Sequence, residues 1–509
     1  MNPSPPPRRL RWWPALLILA LVTARIIQVW VFKDYQRQFK VMGTGMAVLA
    51  GLALLLVWWL FLSRVRWRAR WLGLAGTLAA LLLAAALFRF VGVSGDLVPI
   101  FEPRWRTRPP AALAAVTNAV PAAPAAAAFP QFLGPTRDGV VTGLALATNW
   151  TAHPPQELWR QPVGEGWGGF VVAEGRAFTL EQDGPQEAVT ARDALTGAPL
   201  WRHGEDARYD NPVGGVGPRT TPAVAGARVL AVGATGGLRC LDAASGRLLW
   251  RRDTLRDGGA SVPEWGVSAS PFVWRDLVIT TPGGTNGSVI AYRLADGEPA
   301  WRGGTARAGY SSPRVTALAG MEKLLVFDHL GVSAYAPTNG APLWSYGWPV
   351  GHPHVTDPVP FGTDGLLVSS GYGTGSELLR VGLTNGAWAA ERVWKSIRLK
   401  SKFANLILDG GYAYGLDDGR LTCIEVATGE RRWQGTRYGH GQLLRVEEVL
   451  LVTAENGEVA LVALDPAAFR ELTRFRALTG KTWNPPALAA DLLLVRHATE
   501  AAAFRLPRR

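Results

Sequence analysis

The chain has 509 residues and a formal net charge of +13, a length that allows several domains or one large repeat domain. The positive charge is confined to the N-terminal part: residues 1–108 hold 15 Lys and Arg against 3 Asp and Glu, whereas the rest holds 38 against 37. A balanced large domain lacks the basic face that nucleic-acid binding requires, so no nucleic-acid partner is expected. Two cysteines, Cys240 and Cys423, are too few for a disulfide framework, and neither has a haem-attachment or zinc-binding spacing.

Three apolar stretches occupy the first 93 residues, at about 12–32, 41–62 and 71–93. Each is long enough to cross a hydrocarbon core of ~30 Å as a helix. Arginines flank them unevenly, at positions Arg8, Arg9, Arg11, Arg64, Arg66, Arg68 and Arg70. The positive-inside rule therefore predicts a three-span anchor in the cytoplasmic membrane, with everything after residue 93 on the outer side.

Two arginines lie inside these stretches. Arg25 and Arg89 are each near one end, from where a guanidinium is expected to reach the membrane interface. A cleaved signal peptide ending near Ala24 is the alternative interpretation of the first stretch, and two spans would still anchor the chain.

Residues 94–156 are predicted to form a linker and a lead-in to the large domain. Within them, Pro109–Ala128 is almost entirely Ala and Pro and has no apolar pattern able to bury a core. Such a composition predicts an extended spacer.

One pattern recurs through residues 157–509. Its clearest copies are Asp193-Ala-Leu-Thr-Gly-Ala-Pro-Leu-Trp201 and Asp242-Ala-Ala-Ser-Gly-Arg-Leu-Leu-Trp250. The Asp-to-Gly segment predicts a tight turn in which Gly supplies a positive φ, and the alternating apolar runs around it predict strands. A Trp at a fixed offset after the turn is expected to pack between neighbouring sheets rather than to act chemically.

The spacing of these aromatic residues predicts the architecture. From Trp201 to Phe475 they recur every 39 to 51 residues, about one four-stranded blade. Seven blades have all their strands in order, residues 484–506 lack a closing strand, and the strand around Trp159 lacks a blade. We therefore predict an all-β, eight-bladed β-propeller closed by its N- and C-terminal strands, an arrangement that removes exposed sheet edges. The predicted blade-packing residues are Trp159, Trp201, Trp250, Trp301, Trp344, Trp394 and Trp433.

The motif Asp-x-x-Thr-Gly-x-x-x-Trp at this blade length resembles the PQQ-like propeller repeat. Quinoprotein alcohol dehydrogenases share that repeat, and so does BamB, the propeller subunit of the outer-membrane β-barrel assembly machinery. The chain also looks like a group of bacterial membrane proteins with three spans before such a propeller, through Gly92–Pro99, Phe129–Pro135 and Gly480–Pro486. The resemblance implies a periplasmic propeller but leaves its chemistry open, because one fold hosts many functions.

Two functions follow from that resemblance. A membrane-bound dehydrogenase would hold PQQ against a disulfide of adjacent cysteines, beside a Ca²⁺ ion. Here the two cysteines are expected four blades apart, far beyond the ~7 Å between Cα atoms that a disulfide tolerates. We therefore expect no PQQ, no metal and no catalytic residue, and instead a BamB-like scaffold that binds a protein or a small ligand in the cell envelope. The PQQ-dependent dehydrogenase is the alternative.

The expected binding surface is a funnel at one end of the propeller axis. It combines the loops that enter each first strand with the turns between second and third strands, which lie on the same face and carry polar, aromatic and charged side chains. The candidate residues are Glu181, Arg219, Trp265, Tyr310, His329, Lys402, His440, Lys481 and Trp483. A solvated mouth without a ligand is the alternative.

Overall fold

The computed structural model describes residues 10–33, 35–105 and 128–509. The chain divides into two compact units, Met1–Arg108 and Pro109–Arg509. Arg8, Arg9 and the predicted spacer up to residue 127 lie outside the described residues.

Three long helices dominate the first unit. They span Trp13–Ile27, Arg37–Val57 and Trp67–Leu87, and the first two continue as π-helical turns over Gln28–Phe32 and Trp58–Leu62. All three are long and apolar enough to cross a membrane. Their leucines are widely exposed within the unit, with Leu16 61%, Leu49 68% and Leu72 73% accessible. Such faces suit hydrocarbon better than water.

The third apolar stretch ends as a helix earlier than its hydropathy predicts. Helix stops at Leu87, and Phe88–Val93 forms a strand that pairs antiparallel with Pro99–Pro103. The prediction of helix to residue 93 is wrong at this end, because an alternating aromatic and β-branched run favours a strand once a partner strand is available. Arg89 accordingly pairs with Glu102 at 3.3 Å instead of reaching along a helix.

The second unit is an eight-bladed β-propeller. Blade 1 comprises Val171–Ala173, Arg176–Asp183, Gln186–Asp193 and Pro199–Asp206, and blade 2 comprises Ala223–Ala225, Arg228–Val232, Gly237–Asp242 and Leu248–Asp253. A short helix, Thr254–Gly258, follows blade 2. Blade 3 comprises Phe272–Trp274, Leu277–Thr280, Val289–Arg293 and Pro299–Gly303, and blade 4 comprises Arg314–Leu318, Met321–Phe327, Gly331–Tyr335 and Pro342–Gly347.

The remaining blades complete the ring. Blade 5 comprises Val359–Phe361, Gly365–Ser370, Gly375–Thr384 and Ala387–Ser396, and blade 6 comprises Ile407–Asp409, Tyr412–Asp417, Arg420–Glu425 and Arg431–Arg437. Blade 7 comprises Gln442–Val446, Val449–Thr453, Glu458–Ala463 and Glu471–Arg476, and blade 8 comprises Ala487–Ala489, Leu492–Arg496, Glu500–Arg505 and Gln156–Pro162. First strands of neighbouring blades approach one another, so the first strand of each blade is its innermost.

The ring closes as predicted. Gln156–Pro162 pairs antiparallel with Glu500–Arg505, which places Trp159 opposite Ala503 and makes one sheet from both ends of the propeller sequence. This pairing satisfies backbone groups that would otherwise form an open edge.

Each repeat motif joins two blades. Asp193 Oδ1 accepts hydrogen bonds from the backbone N–H groups of Leu195 and Thr196, at 3.0 and 2.8 Å, which fixes the turn. Gly197, at φ 72°, lies beneath the ring of Trp159 from blade 8, and a Cβ there would lie 2.6 Å from that ring. The glycine of one blade therefore receives the tryptophan of the blade before it.

The tryptophans hold the junctions by hydrogen bonds as well as by packing. The Trp159 Nε1–H donates to the Ala194 carbonyl oxygen at 3.0 Å, and Trp201 to that of Ala243 at 3.0 Å. Trp250, Trp394 and Trp433 repeat the contact with the next blade. All seven predicted blade-packing tryptophans lie in fourth strands. Each is buried except Trp394, which is partly buried.

A belt of side-chain acceptors links the blades close to the axis. Thr221 Oγ1 accepts from the backbone of blade 1 at 3.0 Å, Ser270 Oγ from Thr221 N–H at 2.9 Å, and Ser312 Oγ from Ser270 N–H at 3.0 Å. Asp357 Oδ1 then accepts from Ser312 N–H at 2.8 Å, and Asn405 Oδ1 from Asp357 N–H at 2.6 Å. We call these five residues the axial belt. Each satisfies a backbone donor of the preceding blade that water cannot reach.

The lead-in segment 128–141 lies inside the ring and contacts the innermost strands of several blades. Phe129 and Val172 of blade 1 exchange two backbone hydrogen bonds of 2.9 Å, and Val140–Val141 pairs parallel with Gln442–Val446. Arg137, 2% exposed, donates from Nη2 to the Ser270 carbonyl oxygen at 3.0 Å. We call the end formed by the entry loops the axial mouth.

Candidate binding site

The loops of the axial mouth are tied to one another across blade boundaries. The Tyr310 N–H donates to the His354 carbonyl oxygen at 2.8 Å, and the Thr482 N–H donates to that of Glu455 at 2.8 Å. Because these loops are already fixed, their side chains lose little conformational entropy when a ligand binds.

Two tryptophans and a lysine form the centre of one group. The rings of Trp167 and Trp483 lie 5.2 Å apart, and the Lys481 Nζ lies 4.6 Å from the first and 4.0 Å from the second. Phe403 extends the group, with its ring 5.0 Å from Trp483. An ammonium held against aromatic faces is stabilised by their quadrupoles without being neutralised.

Glu455 positions this group. The Trp483 Nε1–H donates to Glu455 Oε1 at 2.8 Å, and the His440 backbone N–H donates to Oε2 at 3.1 Å. Burial lowers the pKa of Lys481 to about 8; nearby Glu455 opposes this lowering and Arg219 adds to it. The lysine is therefore close to losing its charge at neutral to mildly alkaline pH.

Lys402 and His440 lie beside this group but deeper than a rim position. Lys402 is 7% exposed, with its Nζ 4.8 Å from the ring of Tyr372 and 5.2 Å from that of Phe403. His440 is 1% exposed and meets Phe403 edge to face at 5.5 Å. Both contribute more to the wall beneath the mouth than to its open surface.

A second group forms around Arg219. Its guanidinium carbon lies 4.5 Å from the ring of Tyr209, Nη2 donates to the Gly215 carbonyl oxygen at 2.9 Å, and Nη1 donates to that of Gly217. Burial lowers the pKa of Arg219 to about 10, so the guanidinium remains charged near neutral pH.

A pocket of about 650 Å³ opens next to this second group. Its walls come from blades 2 to 5 and include Trp265, Tyr310 and His329, together with Glu264 and Arg307. Trp265, Tyr310 and His329 are partly exposed, and burial raises the pKa of Tyr310 to about 12. The structure thus brings three of the predicted residues together around one cavity of ligand size.

Glu181 does not line the open mouth. It is fully buried, its Oε2 accepts from the Gly164 N–H at 2.8 Å, and its Oε1 accepts from the Thr190 hydroxyl at 2.7 Å. Its expected place in the funnel is therefore wrong, because the Gly164 backbone and the Thr190 hydroxyl bind its carboxylate inside the blade. Its carboxylate holds the entry of blade 1 together.

Trp167 and Glu455 are among the site members that were not predicted from the sequence. Trp167 stands four residues before the first strand of its blade, as Arg219, Tyr310 and Trp483 do before theirs, so equivalent repeat position was the signal that could have found it. Glu455 lies in the turn between the second and third strands of blade 7, which is the position type that predicted His329.

The two cysteines do not belong to the axial mouth. Cys240 lies in the third strand of blade 2 and Cys423 in the third strand of blade 6. Both are buried and free. Burial raises the pKa of each thiol to about 12, so neither is a thiolate at neutral pH.

Comparison with known families supports the repeat assignment. The family model described as "Outer membrane protein assembly factor BamB" matches residues 185–435, from blade 1 to blade 6. Over these residues the repeats resemble those of the PQQ-like propeller family. No curated protein sequence matches the chain.

Solved structures share this fold at low sequence identity. Quinohemoprotein alcohol dehydrogenase from Comamonas testosteroni aligns with a TM-score of 0.54 and 14% identity, covering 75% of this chain and 81% of its own. BamB from Moraxella catarrhalis aligns with a TM-score of 0.50 and 15% identity, covering 69% and 100%. Sqt1 from Saccharomyces cerevisiae aligns with a TM-score of 0.51 and 11% identity, covering 69% and 99%. At such identities the likeness establishes the fold, and the fold alone does not decide between a dehydrogenase and a binding protein.

Proposed function

We propose that this protein is a membrane-anchored scaffold whose propeller, on the outer side of the cytoplasmic membrane, binds a protein partner through the axial mouth. The observation that carries the proposal is the pocket of about 650 Å³ beside partly exposed Trp265 and Tyr310. Tryptophan, tyrosine and arginine in such settings are the usual anchors of protein interfaces. The family model, which describes an assembly factor, agrees with this role.

The proposal includes no quinone chemistry. The clamp of adjacent cysteines that the dehydrogenase resemblance implies has no counterpart here, because Cys240 and Cys423 are in blades 2 and 6 and face the protein core. We therefore propose that purified protein supplied with PQQ and Ca²⁺ does not reduce an artificial electron acceptor with alcohols or sugars. Turnover that depends on added PQQ would overturn this part of the proposal.

Crosslinking in native membranes tests the binding site. A photoreactive residue introduced at His329 should capture a specific protein, and Trp265→Ala in the same chain should abolish the capture. Trp388→Ala is the matched control: this tryptophan is also partly exposed but lies in the outer strand of blade 5. Capture lost with Trp388→Ala and kept with Trp265→Ala would place the partner on the blade edges and refute the axial mouth.

Reporter fusions test the anchor. The arginine asymmetry places residue 65, between the second and third helices, in the cytoplasm, and places residue 110 outside it. An alkaline phosphatase fusion should therefore be active after residue 110 and inactive after residue 65. The opposite pattern would put the propeller in the cytoplasm.

A further inference from the structure

Two cations lie at the axial mouth without an acidic partner. Arg219 comes from the entry loop of blade 2 and Lys481 from that of blade 8. Both are partly buried, and among the described residues no carboxylate oxygen lies within 4.0 Å of either. Asp210 and Glu455 act on them from further away.

Both cations retain unused donors. Arg219 gives hydrogen bonds to the Gly215 and Gly217 carbonyl oxygens, and a guanidinium has five N–H groups. Lys481 lies against the faces of Trp167 and Trp483, which accept no conventional hydrogen bond. Three ammonium protons and the remaining guanidinium N–H groups are available to a ligand.

The two positive charges act on each other. A Cβ at Gly215 would lie 2.7 Å from the Trp167 ring, and the Gly215 carbonyl oxygen accepts a hydrogen bond from Arg219 Nη2. Lys481 contacts the same tryptophan, so Trp167 and Gly215 connect the two cations. Partly buried like charges repel each other, and an anion bound by both relieves that repulsion.

Cations that serve the fold of this protein are bound differently. Arg239 pairs with Glu187 at 2.7 Å, and Arg496 donates to the Thr179 hydroxyl at 2.8 Å and to the Leu180 and Gly164 carbonyl oxygens. Each of these has a carboxylate or a full set of acceptors around it. Arg219 donates to two carbonyl oxygens and Lys481 lies against two aromatic rings, and both lie on the surface proposed to bind a partner.

The pocket continues directly from this pair. Gly214 separates Arg219 from Trp265, since a Cβ there would lie 2.9 Å from Arg219 Nη2 and 3.1 Å from the Trp265 ring. Its volume of about 650 Å³ exceeds that of a small anion. Its walls include the rings of Trp265 and Tyr310 and prolines such as Pro263, and they carry one acid, Glu264, and one arginine, Arg307. A ligand that fills both parts has a carboxylate at one end and a largely uncharged body.

We propose that Arg219 and Lys481 bind a side-chain carboxylate of an acidic peptide segment of the partner, whose neighbouring residues occupy the pocket beside Trp265. Arginine recognises carboxylates through paired N–H groups, and the ammonium supplies the second charge. This assignment rests on the proposed function of the axial mouth, and it specifies that the mouth binds a carboxylate of its partner.

Peptide binding to the intact protein in detergent tests the assignment. A fluorescein-labelled peptide of ten residues alternating Glu and Pro should bind, with an affinity that falls as salt rises, and its Gln-Pro counterpart should bind at least tenfold more weakly. Lys481→Gln should weaken the Glu-Pro peptide about tenfold, and Lys481→Arg should retain most of the binding. Arg275→Gln is the matched control, because Arg275 also lies over a tryptophan, Trp274, but pairs with Glu322 away from the mouth.

Several results would overturn the proposal. Equal affinity of the Glu-Pro and Gln-Pro peptides, or an unchanged affinity in a folded Lys481→Gln protein with the melting temperature of the parent, would remove the carboxylate site. Competition by inorganic phosphate or succinate at the same concentration as the peptide would show a small-anion site instead. If Trp265→Ala abolishes partner capture while Lys481→Gln leaves peptide binding intact, the axial mouth is still the partner-binding site and only the carboxylate assignment is refuted. If neither variant has an effect, both fail.

Discussion

The glycine that ends each repeat turn is restricted in two independent ways. Gly246 has a φ of 72°, which L-residues rarely adopt, and a Cβ at this position would lie 2.5 Å from the ring of Trp201. The first restriction belongs to the turn itself. The second arises because the turn of blade 2 receives the tryptophan of blade 1, so the motif couples neighbouring repeats.

Alanine substitutions separate these two restrictions. Gly184→Ala, at φ 55° with no atom within 4 Å of its Cβ, should lower the free energy of unfolding by about 1 kcal/mol through backbone strain. Gly246→Ala should cost about 1–3 kcal/mol more, because the Trp201 ring must move. Denaturant unfolding of the two variants provides the measurement. Equal losses would mean that the ring contact contributes nothing.

The charge of Lys481 makes ligand binding dependent on pH. Its pKa of about 8 reflects burial and the nearby Arg219, opposed by Glu455. A bound carboxylate favours the ammonium and raises this pKa in the complex. The affinity for an acidic peptide should therefore be constant below about pH 8. Above it the affinity should fall by up to tenfold per pH unit, until the pKa of the complex is reached.

Titration of the Glu-Pro peptide between pH 6.5 and 9.5 checks this expectation. Lys481→Arg should remove the decline in affinity, since arginine keeps its proton throughout this range. A decline that persists unchanged in Lys481→Arg would assign the dependence to another group.

At the scale of structural elements, the blades are joined by polar contacts near the axis as well as by the tryptophans further out. The axial belt passes from Thr221 through Ser270, Ser312 and Asp357 to Asn405, one acceptor for each of five consecutive blades. These residues stand directly before the first strands, at the base of the loops that form the mouth. The belt therefore fixes the loops from which Arg219 and Trp265 project.

Removing one belt acceptor should lower the free energy of unfolding, because it leaves a buried backbone N–H group without a hydrogen-bond partner. Ser270→Ala deprives the buried Thr221 N–H of its partner, so we expect a loss of about 1–3 kcal/mol in the free energy of unfolding. Ser261→Ala, at an exposed position, should change it by less than about 0.5 kcal/mol. Chemical denaturation of both proteins tests the difference, and a stability loss no larger in Ser270→Ala would show that the belt is dispensable.

At the scale of the whole molecule, the propeller depends on strands from opposite ends of its sequence. Blade 8 takes three strands from residues 487–505 and its outer strand from Gln156–Pro162. Closure of this kind completes the sheet of blade 8, so neither end of the propeller sequence leaves an incomplete blade. The lead-in segment adds a second tie, because it crosses the channel before the first blade begins.

Truncation tests how far stability depends on closure. A chain that ends after residue 483 lacks three strands of blade 8 and leaves Gln156–Pro162 unpaired. We expect it to aggregate or to lose cooperative thermal unfolding, as followed by circular dichroism. A separate peptide of residues 484–509, added during refolding, should restore the transition. A truncated protein that melts at the temperature of the parent would contradict the requirement for closure.

The sequence by itself determined the repeat architecture, because the signals involved are short-range. The turn chemistry of Asp193 and Gly197, the alternation of apolar residues and the offset of each tryptophan lie within about ten residues, and their spacing counts the blades. The same holds for the three apolar helices, whose length and composition need no partner to be recognised. Even closure followed from the sequence, since one unpaired strand and one incomplete blade remained.

Only the tertiary structure decided what the axial mouth contains. Glu181 lies in the second strand of blade 1 and Trp167 in its entry loop, yet the first is buried against Gly164 and the second joins Lys481 from blade 8. The belt, the lead-in segment in the channel and the early end of the third helix at Leu87 were equally hidden. The physical reason is shared: loop conformation and strand pairing depend on tertiary contacts between different segments of the chain, and the local sequence pattern carries no record of those contacts.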